Sequence, residues 1–407
     1  MSTTKSIPSS NAIPRSKRLW IAIILGTIAS IGPLSIDMYL PALPALAGEL
    51  GASASITQLS LTACLLGIAL GQLIVGPISD VRGRKMPLII GISIYSIVSL
   101  LCVIAPTIWT FIALRFVQGL AGAAGIVIAR ASVRDLYSGV ELTKFFALLM
   151  LVNGAAPILA PILGAEILTF TSWRGVFAVL SVSGLLMLAA IIFGLKETLP
   201  VERRSRGGIG NTLRTFRTLA SDSKFMGYAM TSGFMMAAMF AYISGSSFVL
   251  QEMYGVSPRT YSFVFGLNGI GIILTSQIAG KLAGRIEARK LLGGGLTMAA
   301  TGAIILLIAA VLKLSLPIVI IAFFLVVSSI GVISTTTTSL ALQDQGQSAG
   351  SASALLGMLS FIFGGAAAPL VGLGGEATAV PLAIVILLLV STSLGCFFFL
   401  TRMKRGH

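Results

Sequence analysis

Two charged residues stand where a lipid-facing sequence has no structural need for them. Asp37 lies in the segment 35–41, inside the first long apolar run, and Arg115 lies in the segment 115–119, inside the fourth. A carboxylate within a membrane span costs about 2.5–3.5 kcal/mol on insertion scales, so it implies a function. A carboxyl group that takes up and releases a proton on a pathway through the bilayer is the minimum equipment for coupling proton movement to transport. Asp37 sits about 17 residues into its run, roughly 25 Å from the start at about 1.5 Å per residue. Arg115 enters from the opposite side, which puts both in the same half of a ~30 Å hydrocarbon core. They can meet directly or through water, with Arg115 setting the proton affinity of Asp37. The alternatives are that Asp37 is satisfied by serine or backbone groups and that Arg115 snorkels to the interface.

The rest of the composition requires a membrane. The chain has 407 residues, of which 56% are hydrophobic and 10% charged, and its mean hydropathy is +0.99. Soluble domains are about 25% charged. The formal net charge of +15 does not indicate a nucleic-acid partner, because the basic residues fall in short segments between apolar runs. Cys64, Cys102 and Cys396 lie in apolar runs without CxxC spacing, and the single histidine is His407. No disulfide framework, metal site, histidine triad or cofactor is expected. The first apolar run, from about Leu19, is longer than a signal-peptide core of about 7–15 residues and reads as a retained helix.

About twelve runs reach the length of a span, near 19–46, 56–78, 87–105, 107–131, 144–168, 173–195, 224–251, 259–281, 290–312, 316–341, 348–374 and 378–401. Lys and Arg concentrate at the N-terminus, between runs two and three, four and five, six and seven, eight and nine, and in the tail. The positive-inside rule therefore places both termini in the cytoplasm, and the even number of runs agrees. The polar segment 196–224 shows no sustained apolar face. It divides the chain into an N-terminal half, 1–195, a cytoplasmic linker, 196–223, and a C-terminal half, 224–407. Similar basic loops at 76–85 and 280–290 suggest a duplicated six-helix unit.

The 76–85 loop combines Gly76, Asp80, Arg82, Gly83, Arg84 and Lys85. Asp80 can cap a helix or pair with a basic group on a neighbour and so hold one arrangement of that face. Plain topology charge is the simpler alternative. The loop closely resembles the signature loop of the major facilitator superfamily, which implies an all-α fold of about twelve transmembrane helices in two six-helix bundles. Arg115 with Gln118 and Gly119 resembles the fourth-helix motif of that superfamily's drug/proton antiporters, which implies a part for Arg115 in proton transfer. Gly154, Pro157, Pro161 and Gly164 resemble the fifth-helix exporter motif, although Ala160 and Ala165 stand where the family has glycine. Segments 32–44 and 128–137 resemble the bicyclomycin/chloramphenicol-resistance branch. Arg130, Arg134 and Asp135 match it, with topology charge as their alternative role.

The resemblance implies a proton-coupled exporter of small amphipathic antibiotics in the bacterial inner membrane, working by alternating access and as a monomer. Its partners are then a drug or metabolite, protons and lipid. Tyr39, Asn153, Met235, Met239 and Tyr242 are candidate pocket residues, since adaptable methionines suit varied apolar ligands, with core packing as the alternative. Glu166 reads as interfacial. Export of a normal metabolite, a sugar or an amino acid, uses the same fold and proton logic. A membrane-embedded enzyme would need a nucleophile–base pair or clustered metal ligands, and the runs contain neither.

Overall fold

Hydrocarbon offers no partner to backbone amides, so apolar runs of this length satisfy their hydrogen bonds internally as helices. The computed structural model describes residues 15–137, 139–204, 209–343, 345, 349–372 and 378–400. The first span is interrupted. It comprises α1 (Arg15–Ala29), α2 (Ile31–Asp37), a single 3-10 turn (Leu40–Ala42) and α3 (Leu43–Glu49). Then follow α4 (Ala54–Arg82), α5 (Lys85–Val103), α6 (Ile108–Leu136), α7 (Gly139–Leu168) and α8 (Trp173–Gly194). After the linker come α9 (Ile209–Ala220), α10 (Ser223–Phe248), α11 (Pro258–Leu282), α12 (Ala288–Val311), α13 (Leu316–Leu342), α14 (Ala349–Gly372) and α15 (Val380–Phe399). Among the described residues eleven spans are long and apolar enough to cross a membrane. The twelfth, α7, contributes the shorter apolar stretch Gly154–Leu168.

Side-chain caps set several starts. Ser53, Thr107 and Ser257 each accept from the backbone N–H three residues on, and Asp222 accepts from Lys224 and Phe225. The spans form two six-helix bundles. In the first, α4 packs against α6, and α5 against α6 and α8; in the second, α10 packs against α13, α14 and α15, and α12 against α13. One end carries Arg82, Arg84, Lys85, Arg134, Lys196 and the linker, and is called the basic end below. The other, with Glu49, Arg174, Glu166 and Arg259, is the far end.

The linker departs from the expectation of a segment without an apolar face. Its helix α9 is amphipathic, burying Phe216 and Leu219 while Arg214 and Arg217 stay exposed. The apolar positions are spaced at three residues among polar ones, which is too short a pattern to register as a span. The helix lies against α10, α14 and α4, so it touches both bundles.

Candidate functional site

At the basic end Arg84 is the hub. It is 5% exposed, which places its guanidinium inside the bundle. Its Nε donates to Asp135 Oδ2 at 2.8 Å, and its Nη1 donates to Ser79 Oγ and Asp80 Oδ1. Glu197, just past α8, accepts the backbone N–H groups of Arg84 and Leu199 on Oε1 and that of Lys85 on Oε2. Burial pushes the Glu197 carboxyl up, but backbone donors at Leu199, Arg84, Lys85 and Thr198 outweigh it and hold the group below its usual range. Gly83 makes this clamp possible. Its φ is +93°, and a Cβ there would lie 2.6 Å from Glu197 Oε2 and 2.7 Å from Arg204 Nη2. Asp135 joins the network; Arg130 and Arg134 are exposed and do not. Gly76 lies on α4 with room around it, only the Val127 methyl being near. Glu197 was not among the residues read as functional from sequence. The available signal was an acid directly after a span, next to Lys196 and ahead of the linker arginines.

Arg115 is fully buried within the first bundle. Its Nη2 donates to the Ser35 carbonyl at 2.7 Å and its Nη1 to Gln118 Oε1. Gln118 in turn donates to Ser99 Oγ at 2.7 Å, and Ser35 Oγ meets the Tyr95 hydroxyl at 2.8 Å. The guanidinium lies 4.5 Å from the Tyr39 ring centre and 5.5 Å from that of Phe177, close enough for cation–π attraction. No ion pair joins Arg115 to Asp37, which corrects the direct pairing considered from the sequence. The reason is geometric: the guanidinium grips the backbone two residues before Asp37 and the ring two residues after it. Tyr39, a candidate pocket residue from the sequence, is fully buried. It packs in its own bundle against Phe111 and Phe177, with its hydroxyl 3.2 Å from Ser60 Oγ.

Asp37 is the last residue of α2 and is 4% exposed. Among the described residues its carboxylate has no hydrogen-bond or ion-pair partner. The chain just after it meets the other bundle, where Ser247 of α10 donates to the Leu40 carbonyl at 2.7 Å; α10 and α11 there carry Tyr242 and Tyr261. Tyr242 accepts from Asn268 Nδ2 at 2.7 Å and packs between Phe265 and Phe323. Asn268 Oδ1 is buried without a partner. Tyr261 and Asn268 escaped the sequence reading because single polar residues on an apolar helix carry no spacing signal. Of the methionine stripe, Met235 is buried in the second bundle and Met239 half-buried. The side chain of Asn153 lies outside the described residues.

The small residues of α7 do not share one face. Gly154 approaches Ile273 of α11 in the other bundle, whereas Gly164 abuts the Met38 carbonyl so closely that a Cβ would overlap it. Ten residues at about 100° each turn the helix well off one face. Pro161 offers its carbonyl to Ser262 Oγ of α11 at 2.9 Å, and Pro157 lies one turn earlier on the same helix.

Toward the far end the bundles are tied together. Ser55 donates to the Pro369 carbonyl, Thr62 to that of Gly365, Gln58 to that of Ser244, Ser247 to that of Leu40 and Gln251 to that of Pro41. Glu166 pairs with Arg259 at 2.9 Å across the same seam.

Comparison with known proteins fits this architecture. The family model described as Major Facilitator Superfamily matches residues 23–369. The chain is 45% identical over 393 residues to the "Uncharacterized MFS-type transporter YdgK" of Bacillus subtilis (strain 168), covering 96% of this chain and 98% of that one. It is 32% identical over 390 residues to the "Bicyclomycin resistance protein homolog" of Haemophilus influenzae, covering 95% and 98%. In fold it is similar to the crystal structure of a bacterial homologue of the human lysosomal transporter Spinster in an inward-facing, unoccupied conformation. The TM-score is 0.79 at 15% identity, over 96% of this chain and 98% of that one. With two six-helix bundles, a basic-end network on 80–85 and a family match over most of its length, the chain is a membrane transporter, not an enzyme, and belongs to the Major Facilitator Superfamily.

Proposed function

We propose that this transporter exports small amphipathic antibiotics in exchange for protons. The observation that carries the reading is Asp37, a buried carboxyl group without a partner, set where one bundle faces the other. An isolated carboxylate in an apolar setting costs several kcal/mol, and a bound proton removes that cost. Opening the far-end seam would hydrate Asp37 and allow the proton to exchange, so the same motion that moves substrate moves the proton. Arg115 serves as a positioning residue that fixes the interrupted first span on both sides of Asp37. In this scheme the halves 1–195 and 224–407 rock about the linker, and a single chain suffices.

The Lys and Arg distribution supports a cytoplasmic basic end, with both termini on the cytoplasmic side of the bacterial inner membrane. The seam closed here is then the outer one. The similarity to a bicyclomycin resistance protein homologue supports an antibiotic substrate. The test is accumulation of a panel of antibiotics in cells making the protein, with and without a proton uncoupler. Lower accumulation that the uncoupler reverses is expected. Unchanged accumulation of every compound would count against drug export, and reduction that survives the uncoupler would count against proton coupling.

A further inference from the structure

Helices α4 and α5 are neighbours in sequence but barely touch. Each packs on α6 instead, and they diverge around it. The divergence leaves a cavity of about 670 Å³, floored by Leu120 and Ala124 of α6 and walled by Ile78 and Val81 of α4 and Ile90 and Ile94 of α5. Among the described residues the four isoleucine and valine side chains are exposed on the outside of the bundle, the side that faces lipid. The trough runs along α5 from its first residues to Ile94. Nine residues from Lys85 at about 1.5 Å each give roughly 14 Å. That is about half of a ~30 Å hydrocarbon core, the depth of one leaflet.

Arg82 and Arg204 close the basic end of this trough. Their neighbours are already occupied. Arg84 is held by Asp80 and Asp135, and Lys85 Nζ donates to the Ile192 carbonyl. Glu197, which shares the space over Gly83 with Arg204, accepts three backbone N–H groups. Among the described residues Arg82 has no ion-pair partner, and Arg204 Nε is buried without an acceptor. Arg82 without an ion-pair partner, and Arg204 with an unpaired Nε beside Glu197, over an apolar trough one leaflet deep complement an anion that carries a hydrocarbon chain.

We propose that this notch binds an anionic phospholipid, its phosphate between Arg82 and Arg204 and an acyl chain along Ile78, Ile90 and Ile94. The orientation proposed above names the leaflet as cytoplasmic, but binding in detergent reads the site whichever way the protein lies. The lipid would rest against the loop 80–85, so its occupancy would bear on the network there.

The experiment uses the full chain, purified and delipidated in detergent. Dioleoylphosphatidylglycerol or dioleoylphosphatidylcholine is titrated in, and bound lipid is counted by native mass spectrometry. Phosphatidylglycerol is expected to be held roughly tenfold more tightly, given the attraction of each basic residue for anionic lipid. The double substitution Arg82→Gln with Arg204→Gln should erase the preference. Ile90→Trp fills the trough without touching charge and should also weaken phosphatidylglycerol retention; it keeps the test available if the arginine variant fails to fold. Excess glycerol phosphate, which has the headgroup chemistry without a chain, should not displace the lipid. Equal retention of both lipids, unchanged preference in the arginine variant, or full retention in Ile90→Trp would each overturn the site. So would displacement by glycerol phosphate or by an exported antibiotic.

Discussion

Arg115 and Asp37 occupy the same half of the molecule, yet the structure gives them different work. Arg115 spends its Nη donors on the Ser35 carbonyl and on Gln118, and its flat face on Tyr39 and Phe177. Arg115→Ala would leave these acceptors buried and unpaired, so a loss of about 2 kcal/mol or more in folding stability is expected, read by thermal unfolding in detergent. Arg115→Lys keeps a charge but neither the fork nor the stacking plane and should fall between. With no ion pair but a shared stretch of backbone, Arg115→Ala and Asp37→Asn should couple by less than about 1 kcal/mol in a double-mutant stability cycle. A coupling above about 1 kcal/mol would restore the direct pair. Sequence located both residues correctly, by charge in an apolar run. It could not assign their partners, since whether a side chain grips a neighbour's carboxylate or its backbone depends on packing angles that no spacing encodes.

At the scale of elements, spans were legible because about twenty apolar residues have one solution in lipid. What the hydropathy pattern hid were the breaks and short pieces. The first span ends α2 at Asp37, and α7 closes on that break only because Gly164 has no side chain. Gly164→Val should therefore abolish transport while Gly154→Ala, against the yielding end of Ile273, should leave most of it. Equal loss in transport assays of both would refute the two-faced reading of α7. The helix α9 was missed because its buried pair, Phe216 and Leu219, is carried by only twelve residues. The Glu197 clamp was missed because backbone amides are invisible to motif reading. Its carboxyl is held below the usual range, so its contribution is present at neutral pH and lost as pH falls through the folded value. Glu197→Gln should lower the melting temperature at pH 7 by more than at pH 4; the same drop at both would show that charge is not what the amides recognise.

For the whole molecule, the seam at the far end joins α4 to α14, α7 to α11 and the first-span break to α10 through side-chain-to-carbonyl bonds. Among the described residues its one ion pair, Glu166 with Arg259, is half-exposed and worth at most about 1 kcal/mol. Glu166→Gln should therefore shift the balance toward a far-end-open state by no more than about fivefold, read as a spin-label distance distribution across the seam. A complete switch would make the pair the dominant lock. The central claim is that the transporter couples export to a proton carried on Asp37. It is tested in proteoliposomes loaded at low pH and diluted to higher pH, which drive uptake of the exported antibiotic as protons leave. Asp37→Asn should abolish this uphill uptake yet still exchange labelled for unlabelled antibiotic at equal pH, which shows that the fold and substrate site persist. If the Asn variant concentrates the antibiotic at the wild-type rate, Asp37 does not carry the proton.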